Sequence, residues 1–262
     1  MPKETLSASK IKTLKACSWQ YWCKYNLKLP DKTNSGALKG DTVHIVLECL
    51  GAKRHKHNYN KIIKGKKTFA SKSVKRLILK HIKRKQLNSK EDLDDICEMI
   101  LKGLYYDFFG TKNGEPSEII SEKDFEITVE ADDISYKIKG FIDKLFIYET
   151  SSLVLIRDYK TNKKKYEGKE ITDNLQDYMY TLAIRKLYPH LKNIKMEFLF
   201  LKQDMNNGGV MPMQPKDKYE LIGFEHELTD YQKYADSFND KTALSNLAAN
   251  QGMPKDDSFS GK

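Results

Sequence analysis

The chain has 262 residues, 39% of them hydrophobic and 31% charged, with a formal net charge of +10. This length and composition allow one sizeable buried core. No apolar run approaches the about 20 residues that cross a bilayer, and the first residues offer no stretch suited to a secretory signal. We therefore expect an intracellular, cytoplasmic protein rather than a membrane or secreted one.

The first part of the chain has the periodicity of helices. Ser7 or Ser9 can cap a first helix that runs to about residue 25, and a second helix is predicted over residues 36–50. The second helix places His44 and Glu48 four residues apart, on one face. Its apolar face is formed by Val43, Val46, Leu47 and Leu50. Two more helices are predicted over residues 71–86 and 91–109.

The positive charge is concentrated in one segment. Residues 53–90 contain 15 Lys and Arg and no Asp or Glu, whereas the rest of the chain has 31 basic against 36 acidic residues. Such concentrated charge binds phosphate backbones. A solvated surface and a membrane-surface helix over residues 71–87 are the alternatives. We predict that a nucleic-acid track in this segment uses Lys53, Arg54, Lys56, Lys64, Lys66 and Lys67.

The period then changes from that of a helix to that of a strand. Residues 125–129 alternate like a half-buried strand, and residues 136–148 and 153–160 predict a hairpin around a turn at 149–152. A hairpin centred between residues 150 and 151 pairs residues whose numbers sum to 301. Asp143 and Asp158 should therefore lie opposite each other, with Cβ atoms about 5 Å apart.

Two carboxylates placed so closely repel unless a proton or a divalent cation offsets the charge. Asp143 and Asp158 could hold Mg²⁺ or Mn²⁺, which polarises a phosphate and lowers the pKa of a bound water. Lys160, two residues after Asp158 on the same face, could stabilise the developing negative charge. The pattern predicts phosphodiester hydrolysis. The alternative is a surface hairpin with scattered charges and no catalytic role.

The last part of the chain returns to mixed patterns. A basic loop at residues 161–169, with Lys163 and Lys164, should lie near any bound phosphate. A helix over residues 171–187 would put Gln176 and Tyr180 on one face. The remaining predictions are a strand at 194–202, a loop at 204–215, an edge strand at 219–227, a helix at 229–247 and a disordered tail at 249–262.

Four motifs in this order resemble the PD-(D/E)xK nuclease superfamily. Within it the chain is most similar to the RecB-like exonucleases, which include CRISPR-adaptation and phage enzymes. The resemblance runs from about residue 6 to about residue 201 and includes an opening Leu6-Ser7-Ala8-Ser9. Its motifs are Gly40-x-x-x-His44-x-x-x-Glu48, Gly140-Phe141-Ile142-Asp143, Asp158-Tyr159-Lys160 and Gln176-x-x-x-Tyr180.

The resemblance implies a role for each matching residue. His44, Asp143, Asp158 and the backbone carbonyl of Tyr159 would bind the metal. Lys160 would be the catalytic lysine, and Gln176 and Tyr180 would position the DNA or that lysine. Glu48 matches a family position whose role is less defined.

The implied fold is α+β, a central mixed β-sheet flanked by helices with a restriction-endonuclease-like core. We expect one nuclease domain over residues 1–248. Its parts would be a helical, basic region at about 1–110, the catalytic core at about 119–202, and a strand and helix at about 219–247.

The cysteines depart from the family pattern. Many RecB-like exonucleases bind an iron–sulfur cluster through one early cysteine and three near the C-terminus. Cys17 stands where the early one would be, but no cysteine follows Cys97. We expect no such cluster in this chain. Free thiols are the simplest state of Cys17, Cys23, Cys49 and Cys97, and a zinc site of Cys17, Cys23, His55 and His57 fits no established spacing.

These observations predict a Mg²⁺- or Mn²⁺-dependent deoxyribonuclease, an exonuclease of linear DNA rather than a sequence-specific endonuclease. A non-catalytic DNA-binding or assembly module on a nuclease fold is one alternative, and an RNA-processing nuclease is another. By association, a phage origin, action in an infected host cell and a role in DNA recombination or repair fit the same pattern.

Overall fold

The computed structural model describes residues 5–30, 34–87, 90–131 and 134–249. The predicted disordered tail therefore lies outside the described residues, except for residue 249, which ends the last helix.

The chain forms two compact units. The first unit combines Met1–Lys32, Glu126–Lys139 and Ile222–Lys262, and the second combines Thr33–Phe125 and Gly140–Leu221. The expectation of one nuclease domain over residues 1–248 stays a prediction. All four predicted motifs fall in the second unit.

Most helices and strands lie where the sequence predicts them. The described helices are α1 (Ala8–Ala16), α2 (Ser18–Tyr21), α3 (Ser35–Gly51), α4 (Lys56–Gly65), α5 (Lys72–Arg84), α6 (Lys90–Tyr105), α7 (Lys169–Thr172), α8 (Leu175–Leu187), α9 (Lys218–Asp236) and α10 (Asp240–Ala249). The described strands are β1 (Glu118–Glu130), β2 (Ser135–Tyr148), β3 (Leu153–Lys160), β4 (Asn193–Phe200) and β5 (Val210–Pro212).

Within the described residues the strands form one sheet in the order β1-β2-β3-β4-β5. β3 pairs antiparallel with β2 and parallel with β4, and β5 pairs antiparallel with β4. Parallel neighbours need a crossover connection, and α8 lies in the one between β3 and β4. The predicted α+β architecture with a mixed sheet and a helical N-terminal region is confirmed.

The central strand β3 is covered on both faces. Seven of its eight residues are buried, which explains its continuous apolar run. On one face, Tyr159 joins Leu199 and Leu201 in a core shared with α3, α4, α5 and α6. On the opposite face, Asp158 and Lys160 contact Gln176 of α8.

The helical region packs through the apolar faces that the sequence predicts. Val43, Val46, Leu47 and Leu50 of α3 are all buried. Val74, Ile78 and Ile82 of α5 are buried in the same core. The amphipathic pattern of residues 71–87 therefore serves packing on the protein's own core. No helix in the described part of the chain is long and apolar enough to cross a membrane.

The hairpin has the predicted register. The paired residues run from Tyr148↔Leu153 to Lys144↔Arg157, and each pair sums to 301. A tight turn at Glu149–Ser151 joins the strands, and Ser152 closes it in the left-handed conformation with φ of 50°. Asp143 and Asp158 are the next residues beyond the last pair, Asp143 directly before Lys144 and Asp158 directly after Arg157.

The predicted edge strand at residues 219–227 is wrong, because these residues belong to helix α9. Leu221, Phe224 and Leu228 are buried at helical spacing. The helix begins with a capping box in which Glu220 N–H donates to Asp217 at 2.8 Å and Asp217 N–H donates to Glu220 at 2.7 Å.

Smaller differences concern breaks within predicted segments. The first predicted helix is interrupted at the extended residue Cys17. The predicted helix at 229–247 is divided between α9 and α10. Helix α4 was not predicted inside the basic segment, and β5 lies inside the predicted loop at 204–215.

Candidate active site

The two carboxylates of the hairpin lie where the β2–β3 pairing ends. The backbone N–H of Tyr159 donates a 2.6 Å hydrogen bond to Oδ2 of Asp143. Asp158, on the neighbouring strand, is only 4% exposed. Burial raises the pKa of the Asp158 carboxyl above its usual range, and the negative charge of Asp143 adds to that rise while Lys160 opposes it. The carboxylates are thus held at the end of a rigid strand pair.

Lys160 makes an ion pair with Asp158. Its Nζ lies 2.7 Å from Oδ2 of Asp158 and donates a 2.6 Å hydrogen bond to Oε1 of Gln176. Burial acts to lower the pKa of Lys160, but the negative charge of Asp158 outweighs it and raises that pKa above its ordinary value. Lys160 therefore carries its positive charge at neutral pH.

Gln176 links the lysine to the carboxylate. Its Nε2 donates to Oδ1 of Asp158 at 2.5 Å and to the hydroxyl of Tyr180 at 2.8 Å. The Tyr180 hydroxyl in turn donates to the backbone carbonyl of Phe141 at 2.5 Å. Asn174 caps α8 by accepting from the N–H groups of Gln176 and Asp177, which fixes the start of the helix and so places Gln176 in its first turn.

His44 reaches the carboxylates from α3. Its Nδ1 lies 3.0 Å from Oδ1 of Asp143. Burial alone would lower the pKa of His44, but the charge and the hydrogen bond of Asp143 raise it to about 9. One turn earlier, a Cβ added to Gly40 would lie 2.7 Å from Oγ1 of Thr161. Glycine at this position lets α3 approach the end of β3 closely.

The chemistry of this donor set suits a hard divalent cation, which prefers carboxylate and carbonyl oxygens. Oδ2 of Asp158 is buried and lies 2.7 Å from the ammonium of Lys160. Across the described chain, however, no three His, Cys, Asp or Glu side chains converge as a preformed metal cage. The site side chains are instead paired with one another.

These residues line a pocket of about 580 Å³. Its walls come from the start of α3, the ends of β2 and β3, the segment after β3, and α8. The lining residues are Asn34, Gly36, Ala37, His44, Phe141, Asp143, Asp158, Tyr159, Lys160, Thr161, Asn162, Gln176 and Tyr180. The pocket gathers the three triad residues, Asp143, Asp158 and Lys160, with His44, Gln176 and Tyr180.

A model of the PD-(D/E)XK nuclease superfamily matches residues 5–256. This chain belongs to the PD-(D/E)XK nuclease superfamily. It is thus a nuclease, a hydrolase that acts on nucleic acid, and nucleases of this superfamily generally use divalent metals such as Mg²⁺.

One solved structure, of a "putative exonuclease" from Eubacterium rectale, is similar at 12% identity and a TM-score of 0.49, covering 88% of this chain and 80% of that chain. No curated protein matches the chain.

The predicted nucleic-acid contacts of this nuclease fall into two groups. Lys163 and Lys164 are exposed and directly follow Thr161 and Asn162, which line the pocket. The second group, from the basic segment, is exposed on α4 and beside it but does not line the pocket; it comprises Lys53, Arg54, Lys56, Lys64, Lys66 and Lys67. Glu48 is exposed one turn after His44, also outside the pocket lining.

Two residues near the site of this nuclease were not predicted. Glu122 of β1 is exposed, but its carboxyl group is partly buried. This burial and the negative charges of Asp143 and Glu48 raise the pKa of Glu122. The ring of Tyr166 packs edge-on against Phe198 and lies 5.9 Å from the Lys160 ammonium. Glu122 was not predicted because the predicted strand began only at residue 125, whereas β1 begins at Glu118. Tyr166 was not predicted because nothing in the sequence of its loop distinguishes it.

Proposed function

We propose that this nuclease is a Mg²⁺- or Mn²⁺-dependent exonuclease of the RecB-like type that hydrolyses phosphodiester bonds of linear DNA. The observation that supports it most is the network in which Lys160, Asp158 and Gln176 meet at the end of the hairpin beside Asp143. A buried ammonium and two carboxylates in one pocket provide the groups that phosphodiester hydrolysis requires.

The cation would be held by Asp143 and Asp158, with His44 and the backbone carbonyl of Tyr159 as further ligands. The chemistry of the donor set supports this assignment, because carboxylate and carbonyl oxygens are the ligands that hard divalent cations prefer. When bound, the cation supplies polarisation of the scissile phosphate and a water of lowered pKa.

Lys160 stabilises the negative charge that develops on the phosphate. Its raised pKa keeps it protonated, and its hydrogen bond to Gln176 fixes the direction of its ammonium. A charge that is already oriented stabilises a transition state without reorganisation of the site. Gln176 and Tyr180 act as positioning residues, because they hold Lys160, Asp158 and the Phe141 backbone in one hydrogen-bonded chain.

The DNA strand is held by two groups of phosphate contacts, one next to the site and one outside it. Lys163 and Lys164 follow the pocket lining directly and would bind the phosphates nearest the reaction. The exposed lysines and arginine on and beside α4 would bind more distant phosphates, with an affinity that falls steeply with salt. Glu48 would act as a positioning group near His44.

DNA rather than RNA, and exonuclease rather than endonuclease, follow from the resemblance to RecB-like exonucleases. An intracellular setting, a phage origin and a role in recombination or repair stay predictions of the sequence.

The test is digestion of end-labelled linear single-stranded DNA, linear duplex, a closed circle and a matched RNA, each with EDTA, Mg²⁺ or Mn²⁺. Wild type is compared with Lys160→Ala and with Lys195→Ala, a control at an exposed lysine outside the pocket. We expect metal-dependent loss of the linear DNA alone, absent only in Lys160→Ala. Loss of the circle would make the protein an endonuclease, and preferred loss of RNA would make it a ribonuclease. Binding without cleavage under any metal would indicate a non-catalytic module.

A further inference from the structure

The mouth of the candidate active site carries an exposed aromatic ring. Phe141 is 57% exposed and lines the pocket. It precedes Asp143 by two residues on β2, so both side chains project from the same face of the strand. The intervening Ile142 points to the other face and is fully buried.

The backbone that carries this ring is fixed. The carbonyl of Phe141 accepts a 2.5 Å hydrogen bond from the buried hydroxyl of Tyr180. At the preceding residue, Gly140, an added Cβ would lie 2.7 Å from two ring atoms of Phe125 and 3.2 Å from the ring of Tyr180. The packing of both rings against Gly140 leaves this strand segment little freedom. The Phe141 side chain is therefore exposed on a rigid support.

A single exposed aromatic residue is common on protein surfaces and by itself indicates nothing. Phe141 differs because it stands at a polar pocket, two residues from a candidate catalytic carboxylate and on its face of the strand. The faces of nucleobases stack on such rings in proteins that bind single strands. Only an unpaired or terminal base has a free face to offer, since a base inside a duplex is stacked on both sides.

We propose that the ring of Phe141 is a stacking platform for a nucleobase next to the scissile phosphate. This inference rests on the proposed nuclease site and adds a base-binding subsite to it. The platform selects strands with an unpaired base at that position, as in a single strand or a frayed end. It accepts every base, because each has a π face.

The experiment measures binding and cleavage separately. Single strands carrying the fluorescent base 2-aminopurine near one end, and matched strands with an abasic residue there, are titrated with protein in EDTA. The proteins are wild type, Phe141→Ala, Phe141→Trp and the control Tyr219→Ala, which removes another aromatic ring, 80% exposed and outside the pocket.

We expect stacking to quench 2-aminopurine with wild type and with Phe141→Trp, and quenching to be lost with Phe141→Ala. Phe141→Ala should weaken binding of the intact strand about tenfold, and that of the abasic strand hardly at all. Tyr219→Ala should behave as wild type. The ratio of single-strand to blunt-duplex cleavage should fall in Phe141→Ala.

An equal effect of Phe141→Ala on intact and abasic strands, or no effect on either, overturns the stacking proposal. If wild type still cleaves nucleic acid in that case, the proposed function stands and only the role of Phe141 fails. If wild type neither binds nor cleaves any strand, both proposals fall together.

Discussion

Lys160 and Gln176 are joined by a 2.6 Å hydrogen bond from the ammonium to the side-chain amide oxygen. The amide nitrogen of the same side chain donates to Asp158 and to Tyr180. One glutamine thus fixes the lysine and the carboxylate relative to each other, so its loss should disturb chemistry more than substrate binding.

We expect Gln176→Ala to lower kcat by about 10–100-fold with little change in KM, the usual scale for a residue that orients ligands and charges. The readout is steady-state cleavage of linear DNA. Gln214→Ala, at an exposed glutamine outside the pocket, is the matched control. An unchanged kcat in Gln176→Ala would show that Lys160 is oriented by other contacts.

Lys160→Ala should cost stability as well as activity. It leaves the buried carboxylate of Asp158 without its ion-pair partner, a loss on the order of 3 kcal/mol in the free energy of unfolding. The double variant Lys160→Ala with Asp158→Asn removes that unpaired charge. In urea unfolding we expect it to recover most of the lost stability, while cleavage stays absent in both variants. Recovery of activity in the double variant would contradict the catalytic roles of these residues.

The pKa of His44 should be measurable in the metal-free protein. Asp143 raises it to about 9, against an ordinary value of 6.5. Because the pKa is raised in the folded protein, the ion pair of His44 with Asp143 stabilises the fold fully below pH 6.5. This stabilisation is lost as the pH rises through about 9. NMR titration of the imidazole should give a high pKa in wild type and a lower one in Asp143→Asn. Added Mg²⁺ should lower it in wild type, because a cation at the carboxylates repels the imidazolium and only the neutral ring can act as a ligand. An ordinary pKa in metal-free wild type would refute the ion pair.

Gly140→Ala should destabilise the protein by overpacking. The new Cβ would press on the rings of Phe125 and Tyr180, a cost of about 1–3 kcal/mol. Movement of Tyr180 would also release its hydrogen bond to Phe141, so kcat should fall. Gly223→Ala is the control, since an added Cβ there meets no atom within 4 Å, and alanine favours the helix. A Tm of Gly140→Ala equal to or above that of wild type would show that the two rings move aside without loss of stability.

The basic segment should govern the salt dependence of binding. Replacing Lys64, Lys66 and Lys67 by Ala should weaken binding of single-stranded DNA. The slope of log Kd against log salt should fall by about 0.7 for each phosphate that the variant no longer neutralises. The control replaces three exposed lysines outside the segment, Lys192, Lys195 and Lys218. Equal slopes in both triple variants would indicate that residues 53–90 are a solvated surface.

The hairpin and the caps show how much could be predicted from the sequence. Two β runs around a short turn allow few registers, and the pairs that sum to 301 are those observed. The capping box at Asp217 and Glu220 was also present in the sequence, three residues apart as such boxes require. This helix-start signal contradicts the strand predicted at residues 219–227. Helix α4 is short, and its apolar face is formed only by Tyr59, Ile62 and Ile63 among charged and polar residues.

The sequence by itself determined that Asp143, Asp158 and Lys160, the proposed chemical groups, come together on one face, because strand alternation and hairpin register are local. Only the tertiary structure decided which other groups surround them. Gln176 reaches Lys160 from a helix, Glu122 approaches on another strand, and His44 pairs with Asp143 across 99 residues of chain. Such contacts depend on how α3 and α8 dock on the sheet, and docking is set by side-chain packing that no local period encodes.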